Sequence, residues 1–179
     1  MSRISSVAQE GAAAPVKELY AQIQKKMGKV PNIFLHMANS PQVLTAFMKL
    51  NELTEQLSLS RNLQALIALD VSEANHCNYC LSAHSAIAKH MGIQEQDVLR
   101  ARKAENPDAK TAAILRFARS IVEKRGQVSD SEVAQLKAQG VSDREVAEIV
   151  LLVVLSTFTN YFNNVVKTEI DFPPAPKLA

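Results

Sequence analysis

The chain has 179 residues, of which 47% are apolar and 21% are charged, and its net charge is +2. This composition is typical of a soluble globular domain with a sizeable core, and the near-neutral charge excludes a strong electrostatic case for nucleic-acid binding. The N-terminus lacks the apolar run of a signal peptide, and the longest apolar run, residues 149–155, is too short to span a membrane. We therefore expect a reducing, cytoplasmic location and no membrane or nucleic-acid partner.

Glycine is scarce and helix-forming residues are abundant, which predicts an all-α fold of about seven or eight helices. We expect one domain over residues 1–179, with a core of about residues 15–170, a loose N-terminal lead-in and a proline-rich C-terminal tail. Apolar spacing and cap residues predict helices from Pro15 to Gly28, Pro41 to about Leu57, Ser60 towards Glu73, Cys77 to Gly92, Ile93 to Ala104, Ala109 to Arg125, Ser129 or Asp130 to Gln139, and from Ser142 onwards.

Two segments of this chain carry further expectations. Residues 30–34 are predicted to form an extended apolar connector, because Pro31 biases the residue before it away from the helix. The last helix opens with a capping box at Ser142 and is apolar almost all round over residues 146–155, which predicts burial in the core or in a subunit interface. Near its end, Asn160, Asn163 and Asn164 are either ordinary helix-end polarity or amides that face a pocket or subunit contact.

The chemistry-bearing residues are concentrated in one stretch, where both cysteines of the chain lie three residues apart. If this stretch is one continuous helix, Glu73, Cys77, Cys80 and His84 fall within about 60° of one another on a single face. If Asn75 instead ends one helix and starts another, Cys77 lies in the first turn of the second helix, where the dipole favours a thiolate. The spacing alone leaves both arrangements open.

Two cysteines at this spacing in a cytosolic chain favour a redox pair that closes a disulfide. His84 stands one helical turn after Cys80 and can take its proton, while Glu73 can act as a proton relay. The main alternative is a zinc site with Cys77, Cys80 and His84 as ligands and either His76 or a partner chain as the fourth. Two inert buried thiols are a further alternative.

Three residues are candidates for the surroundings of the pair. His76 is adjacent to Cys77, Tyr79 lies between the two cysteines as packing or a pocket wall, and Asn160 belongs to the amide-rich end of the last helix. We expect them to shape the site rather than to react. No metal ligand is assigned under the redox interpretation.

Glu73, the run from Cys77 to Cys80 and His84 resemble the AhpD-like alkylhydroperoxidases of the carboxymuconolactone decarboxylase family. The likeness is strongest over residues 60–92 and is plausible over about residues 15–170. The run of residues 30–34, followed by Ser40 and Pro41, resembles the peroxidase-related branch of that family.

This resemblance implies an all-helical, AhpD-like bundle that assembles as trimers or hexamers and reduces small organic hydroperoxides. It implies that Cys80 attacks the peroxide and becomes a sulfenic acid, that Cys77 closes the disulfide, and that His84 is the base. It further implies that a dithiol protein reduces the bridge and that the redox-active disulfide serves in place of a cofactor. A dipole argument alone would favour Cys77 as the attacking sulfur.

One position departs from the family pattern. The best-known members carry the relay glutamate twelve residues before the first cysteine, where this chain has Ala65. Either Glu73 takes over that role, or the relay is altered and peroxidase activity is weak. A thiol oxidoreductase or redox sensor without useful peroxide turnover and a zinc-stabilised helical assembly protein therefore stand as alternatives to the peroxidase.

Overall fold

The computed structural model describes residues 1–178, which form α-helices joined by short connections and contain no strand. An all-α fold is thus confirmed, with nine α-helices in the described range rather than seven or eight. They are α1 (Ala14–Met27), α2 (Asn32–Met37), α3 (Pro41–Leu53), α4 (Arg61–Ala74), α5 (Asn78–His90), α6 (Glu95–Ala101), α7 (Ala109–Glu123), α8 (Asp130–Ala138) and α9 (Asp143–Val166), with a 3-10 turn over Thr54–Gln56 after α3.

Most predicted helix starts are confirmed because the side chain before the helix caps it. Ser40 and Ser60 accept hydrogen bonds from the backbone N–H three residues later, at the starts of α3 and α4. Ser129 and Ser142 form complete capping boxes with glutamates in the first turns of α8 and α9. Such caps stabilise a helix by about 1 kcal/mol each and depend on neighbouring residues alone.

The expected extended connector at residues 30–34 is wrong beyond Pro31. Val30 and Pro31 precede α2, which begins at Asn32 directly after the proline. Proline restricts the residue before it but not those after it, and Ile33, Phe34 and Met37 all bury their side chains from this short helix. The helix predicted over residues 93–104 is also shorter in the structure, because α6 covers only the middle of that range.

Helix α4 is the central element, and it packs against α5, α6, α7 and α9. The core has two parts. The larger part lies among α4, α6, α7 and α9 and includes Ile67, Leu69, Ile114, Leu115 and Ile149. The second part joins α1, α2 and α3 to the start of α5, and both cysteines belong to it.

The expected burial of α9 holds for one of its faces. Ile149, Leu152 and Val153 are buried, whereas Val150, Val154, Phe158, Tyr161 and Val165 form an apolar stripe in which each residue is at least 41% exposed. Among the described helices, α9 is the one with the length and composition of a membrane span, and 44% of its apolar window is buried inside the structure. Core helices of soluble proteins meet the same criterion.

Both terminal segments are held against the helices. Arg3 N–H donates to the Val166 carbonyl at 2.7 Å, and Val7 N–H donates to the Leu35 carbonyl at 2.9 Å. The lead-in is therefore hydrogen-bonded rather than loose. At the C-terminal end, Lys29 hydrogen-bonds Asp171. Asp171 lies in the non-helical tail that follows α9 and crosses the start of α5.

Candidate active site

The site is built at the junction of α4 and α5, where the chain breaks the helix. Helix α4 ends at Ala74, His76 has a left-handed backbone with φ of 52°, and Cys77 is the N-cap of α5. The continuous-helix arrangement is therefore wrong and the break at Asn75 is confirmed, with Cys77 as the cap itself rather than within the first turn.

Side chains of α9 hold this break in place. The Asn75 side chain donates to Asn160 Oδ1 at 3.0 Å, and Asn164 donates to the Asn75 carbonyl at 2.9 Å. Cys77 N–H turns back to the Ser72 carbonyl at 3.0 Å. Because the end of a helix leaves carbonyl groups without partners, these bonds favour ending α4 at this point.

Cys77 and Cys80 are joined as a disulfide, with their Cα atoms 5.3 Å apart. The Cys77 sulfur also accepts the Cys80 backbone N–H at 3.2 Å, as an N-cap side chain does. Both residues are buried, Cys77 completely and Cys80 to within 3%. The pair can therefore store two electrons in a site that excludes bulk water.

His84 lies one turn after Cys80 within α5, so the two side chains share a face of that helix. The residue is partly buried, and loss of hydration lowers the pKa of its imidazole to about 4. The ring is consequently neutral at pH 7, which is the form that accepts a proton from a thiol.

Glu73 and its partner form a separate polar contact at the end of α4. Arg102 donates from Nε to Glu73 at 2.7 Å and from a terminal nitrogen to the Pro176 carbonyl at 2.5 Å. Arg102 is itself buried. Glu73 thus faces the tail and α6. Ala65 lies buried about two helical turns earlier in α4. A relay role for Glu73 stays a prediction.

Tyr79 anchors the C-terminal tail over the site. Its hydroxyl donates to Asp171 at 2.8 Å and accepts the Ile33 N–H at 3.3 Å, and Phe172 packs edge-on against its ring. Burial raises the pKa of Tyr79. The residue is therefore a neutral wall of the site. His76, by contrast, is exposed on the outside of the turn.

Two buried amides of α9 contact the site, and the sequence predicted these contacts only in part. Asn160 is fully buried and donates to Ser72 Oγ at 3.2 Å, so it supports the junction rather than the sulfurs. Asn163, one turn later, donates from Nδ2 to the Cys80 sulfur at 3.3 Å. The amide-rich end of α9 was the available signal, but Asn163 and Cys80 are 83 positions apart, which hides the contact from local patterns.

Within residues 1–178, no group of three or more His, Cys, Asp or Glu side chains is arranged to hold a metal ion. The zinc alternative needs Cys77, Cys80 and His84 as common ligands, and the two sulfurs are bonded to each other instead. The arrangement supports a redox pair more directly than a metal centre.

Comparison with known proteins shows what part of the chain and what fold are shared. Residues 41–124, which include the whole cysteine pair, match the carboxymuconolactone decarboxylase family. The fold is similar to the alkylhydroperoxidase AhpD core of an uncharacterized peroxidase-related protein from Ralstonia eutropha JMP134, with a TM-score of 0.84 at 23% identity over 95% of this chain and 92% of that one. This chain is thus similar to the carboxymuconolactone decarboxylase family over residues 41–124. It has the AhpD-like fold that the resemblance predicted.

Two further proteins are similar to this chain. The debrominase Bmp8, in complex with 2,3,4-tribromopyrrole, superposes with a TM-score of 0.82 at 21% identity, covering 96% of this chain and 94% of that one. The uncharacterized protein YdfG from Bacillus subtilis (strain 168) is 32% identical over 59 residues, a match that spans 33% of this chain and 40% of that protein. The AhpD-like fold is thus established, and the roles of individual residues stay predictions.

Proposed function

We propose that this protein is a thiol-dependent peroxidase that reduces small organic hydroperoxides. The observation that carries the proposal is the bonded pair of Cys77 and Cys80 at the start of α5, with a neutral His84 one turn further along. A reversible disulfide beside a base is the minimum that two-electron peroxide reduction needs. The likeness to a peroxidase-related protein with an AhpD core supports the same chemistry.

The proposed reaction proceeds in two steps from the reduced pair. His84 takes the proton of Cys80, and the thiolate attacks the outer oxygen of R–O–O–H, so that an S–O bond forms and the O–O bond breaks. The products are the Cys80 sulfenic acid and, after protonation by the His84 imidazolium, the alcohol R–OH. The Cys77 thiolate then attacks the Cys80 sulfur, which forms the disulfide and releases the oxygen as water.

Each cycle oxidises two thiols, and a dithiol reductant protein returns two electrons and two protons to the pair. A cytoplasmic location supplies such reductants, and we propose that location for the protein. The relay role proposed for Glu73 requires this carboxylate to leave Arg102 or to reach His84 through water, because its direct hydrogen bond runs to Arg102.

The surroundings of the sulfurs favour an organic substrate over hydrogen peroxide. Cys77 and Cys80 belong to an apolar cluster, and Phe47, Phe162 and Phe172 pack against that cluster. An apolar group on the hydroperoxide gains free energy when it enters such surroundings, at about 25 cal/mol per Å² of apolar surface removed from water.

We also propose that the protein functions as a homo-oligomer, a trimer or hexamer, whose contact includes the exposed stripe of α9. Val150, Val154, Phe158, Tyr161 and Val165 lie on that stripe. A monomeric protein rarely leaves a contiguous apolar face of this kind in water, and a second copy offers the same face in return.

The likeness to a debrominase favours a second candidate, reductive removal of bromine from an aromatic ring. The same cysteine pair can supply the two electrons of this reaction, since one aryl bromide and two thiols give the bromine-free arene, one disulfide and hydrogen bromide. The buried apolar setting of the sulfurs suits an aromatic substrate as well as an organic peroxide.

A turnover assay separates these candidates. Reduced protein with excess dithiothreitol is given cumene hydroperoxide in one arm and 2,3,4-tribromopyrrole in the other, with Cys80→Ser as the control in both. We expect continuous peroxide consumption by the wild type and none above background by the variant. If peroxide consumption is the same in both proteins, the peroxidase proposal fails, and bromide release would then assign the second candidate.

Disulfide cycling without either turnover would indicate a thiol oxidoreductase or redox sensor, and zinc at one ion per chain would indicate an assembly role.

A further inference from the structure

Each sulfur of the pair has one hydrogen-bond donor, and the two donors differ in kind. The Cys77 sulfur accepts the backbone N–H of Cys80 at the start of α5. The Cys80 sulfur accepts the side-chain amide of Asn163, which reaches it from α9 at 3.3 Å. A hydrogen bond to the charged form of a group lowers its pKa, so each donor that stays in place in the reduced pair stabilises the thiolate of the cysteine it contacts.

Asn163 meets the sulfur in a dry setting. Asn163 and Cys80 are each 3% exposed, and a hydrogen bond to a charged group is strongest where water does not compete. The side chain is fixed by α9, whose neighbouring amides Asn160 and Asn164 bind the α4 end of the same junction. The donor is therefore in place before any reaction begins.

The other end of the same amide has no partner. Asn163 Oδ1 is buried and accepts no hydrogen bond within the described residues. A buried amide oxygen without a donor costs free energy, and such an atom in a native protein calls for an explanation. A sulfenic acid on Cys80 carries an O–H group next to the sulfur that Nδ2 already contacts, and it is the donor that Oδ1 lacks.

From these contacts we infer that Asn163 is a further catalytic residue, which donates to the Cys80 thiolate and accepts the hydroxyl of the Cys80 sulfenic acid. This role rests on the proposed peroxidase function for its second part only, because thiolate stabilisation holds whatever the thiolate attacks. It makes Cys80 the attacking sulfur even though the helix dipole favours Cys77. No bond is made or broken at Asn163.

Other titratable groups surround the same sulfur and have to be kept constant in any test. Helix α5 and its cap contribute Cys77, Tyr79 and His84, and the tail contributes Asp171, which accepts the Tyr79 hydroxyl. Substitution at Asn163 leaves all of these in place, so a change in the pKa of Cys80 reports on the amide.

The test measures the pKa of Cys80 directly, by ultraviolet absorbance of the thiolate against pH, in a Cys77→Ser background where Cys80 is the single thiol. We expect Asn163→Ala to raise that pKa by about 1 unit or more, and Asn163→Asp to raise it further because it places a carboxylate beside the sulfur. Asn51→Asp is the matched control, since it makes the same substitution at an exposed position of α3, outside the junction of α4 and α5. We expect this control to shift the pKa by less than about 0.3 unit.

Two readouts decide the outcome. If Asn163→Ala leaves the pKa of Cys80 unchanged in a folded protein, the inference is overturned, whether or not the wild type turns over peroxide. If Asn163→Asp does not fold, Asn163→Ala alone gives the same decision. If the pKa rises as expected while the wild type shows no peroxide turnover, thiolate stabilisation by Asn163 stands and the proposed function fails. Trapping of the sulfenic acid with dimedone in the Cys77→Ser background then tests Oδ1, because Asn163→Ala should shorten its lifetime.

Discussion

At the scale of single residues, the site depends on one imidazole that burial keeps neutral. The pKa of His84 is lowered to about 4, so the ring remains a proton acceptor over the whole neutral range. In the proposed reaction, we therefore expect the pKa of the thiol, rather than that of His84, to determine where the rate of peroxide reduction rises with pH.

The lowered pKa of His84 also links stability to pH. Below about pH 6.5 the unfolded chain binds a proton that the folded protein refuses until about pH 4, so the free energy of unfolding falls as pH drops through this range. The slope from one such group is at most about 1.4 kcal/mol per pH unit. We expect His84→Gln to flatten the dependence of the free energy of unfolding on pH, measured by urea unfolding at a series of pH values. We also expect this variant to reduce peroxide more slowly than the wild type, on the order of 10²-fold.

His90 on the same helix provides the control for that series, because it is exposed at the end of α5. We expect His90→Gln to keep the wild-type slope. Equal slopes for wild type and His84→Gln would contradict the burial of a neutral His84.

Local spacing grouped the three residues to which the proposed reaction assigns roles, and tertiary contacts supplied their surroundings. Cys77, Cys80 and His84 lie within eight positions, so helical geometry alone was sufficient to group them. Asn163 on Cys80 and Arg102 on Glu73 join residues that are 83 and 29 positions apart. No local pattern specifies such pairs, because their meeting depends on how α9 and α6 pack against α4.

At the scale of elements, the start of α4 is held by a buried carboxylate from α9. Glu148 accepts the Ser58 N–H at 2.9 Å, the Ser58 hydroxyl at 2.7 Å and the Leu59 N–H at 3.0 Å, and Arg144 also binds it. Burial opposes its charge, but the hydrogen bonds from Ser58, Arg144 and Leu59 outweigh burial and lower its pKa to about 2. The carboxylate thus fixes the loop that leads into the central helix.

We expect Glu148→Gln to reduce the free energy of unfolding at pH 7 by roughly 2 kcal/mol, since an amide cannot accept all of these donors. A lowered carboxyl pKa stabilises the fold above about pH 4.5, and this contribution is lost as pH falls towards 2. The difference between wild type and variant in urea unfolding should therefore shrink at pH 3. Glu52→Gln, at an exposed position of α3, should change neither value.

Element boundaries followed the sequence where caps were local and departed from it where the interior decided. Ser60 and Ser142 fixed helix starts through contacts three residues long. Helix α2 formed where an extended connector was expected, because burial of Phe34 and Met37 favours a helical turn there. The break between α4 and α5 was one of two open alternatives, and the amides of α9 favour it.

At the scale of the whole molecule, we expect the exposed stripe of α9 to govern assembly. We expect the wild type to be an oligomer at micromolar concentration in light scattering, and Val154→Lys to dissociate it, because a charge in an apolar contact is costly to desolvate. Gln135→Lys on the exposed side of α8 adds the same charge elsewhere and should leave the mass unchanged. A monomeric wild type would contradict the proposed assembly.

The central claim is that Cys80 attacks a hydroperoxide and Cys77 completes the disulfide, and single-turnover oxidation tests it most directly. Reduced, metal-free wild type, Cys77→Ser and Cys80→Ser are mixed with cumene hydroperoxide in a stopped-flow instrument, and thiols are counted and masses measured afterwards. We expect the wild type to lose both thiols quickly, Cys77→Ser to stop one oxygen atom heavier as a sulfenic acid, and Cys80→Ser to be inert. Survival of both wild-type thiols at the rate of a free thiol would contradict the account.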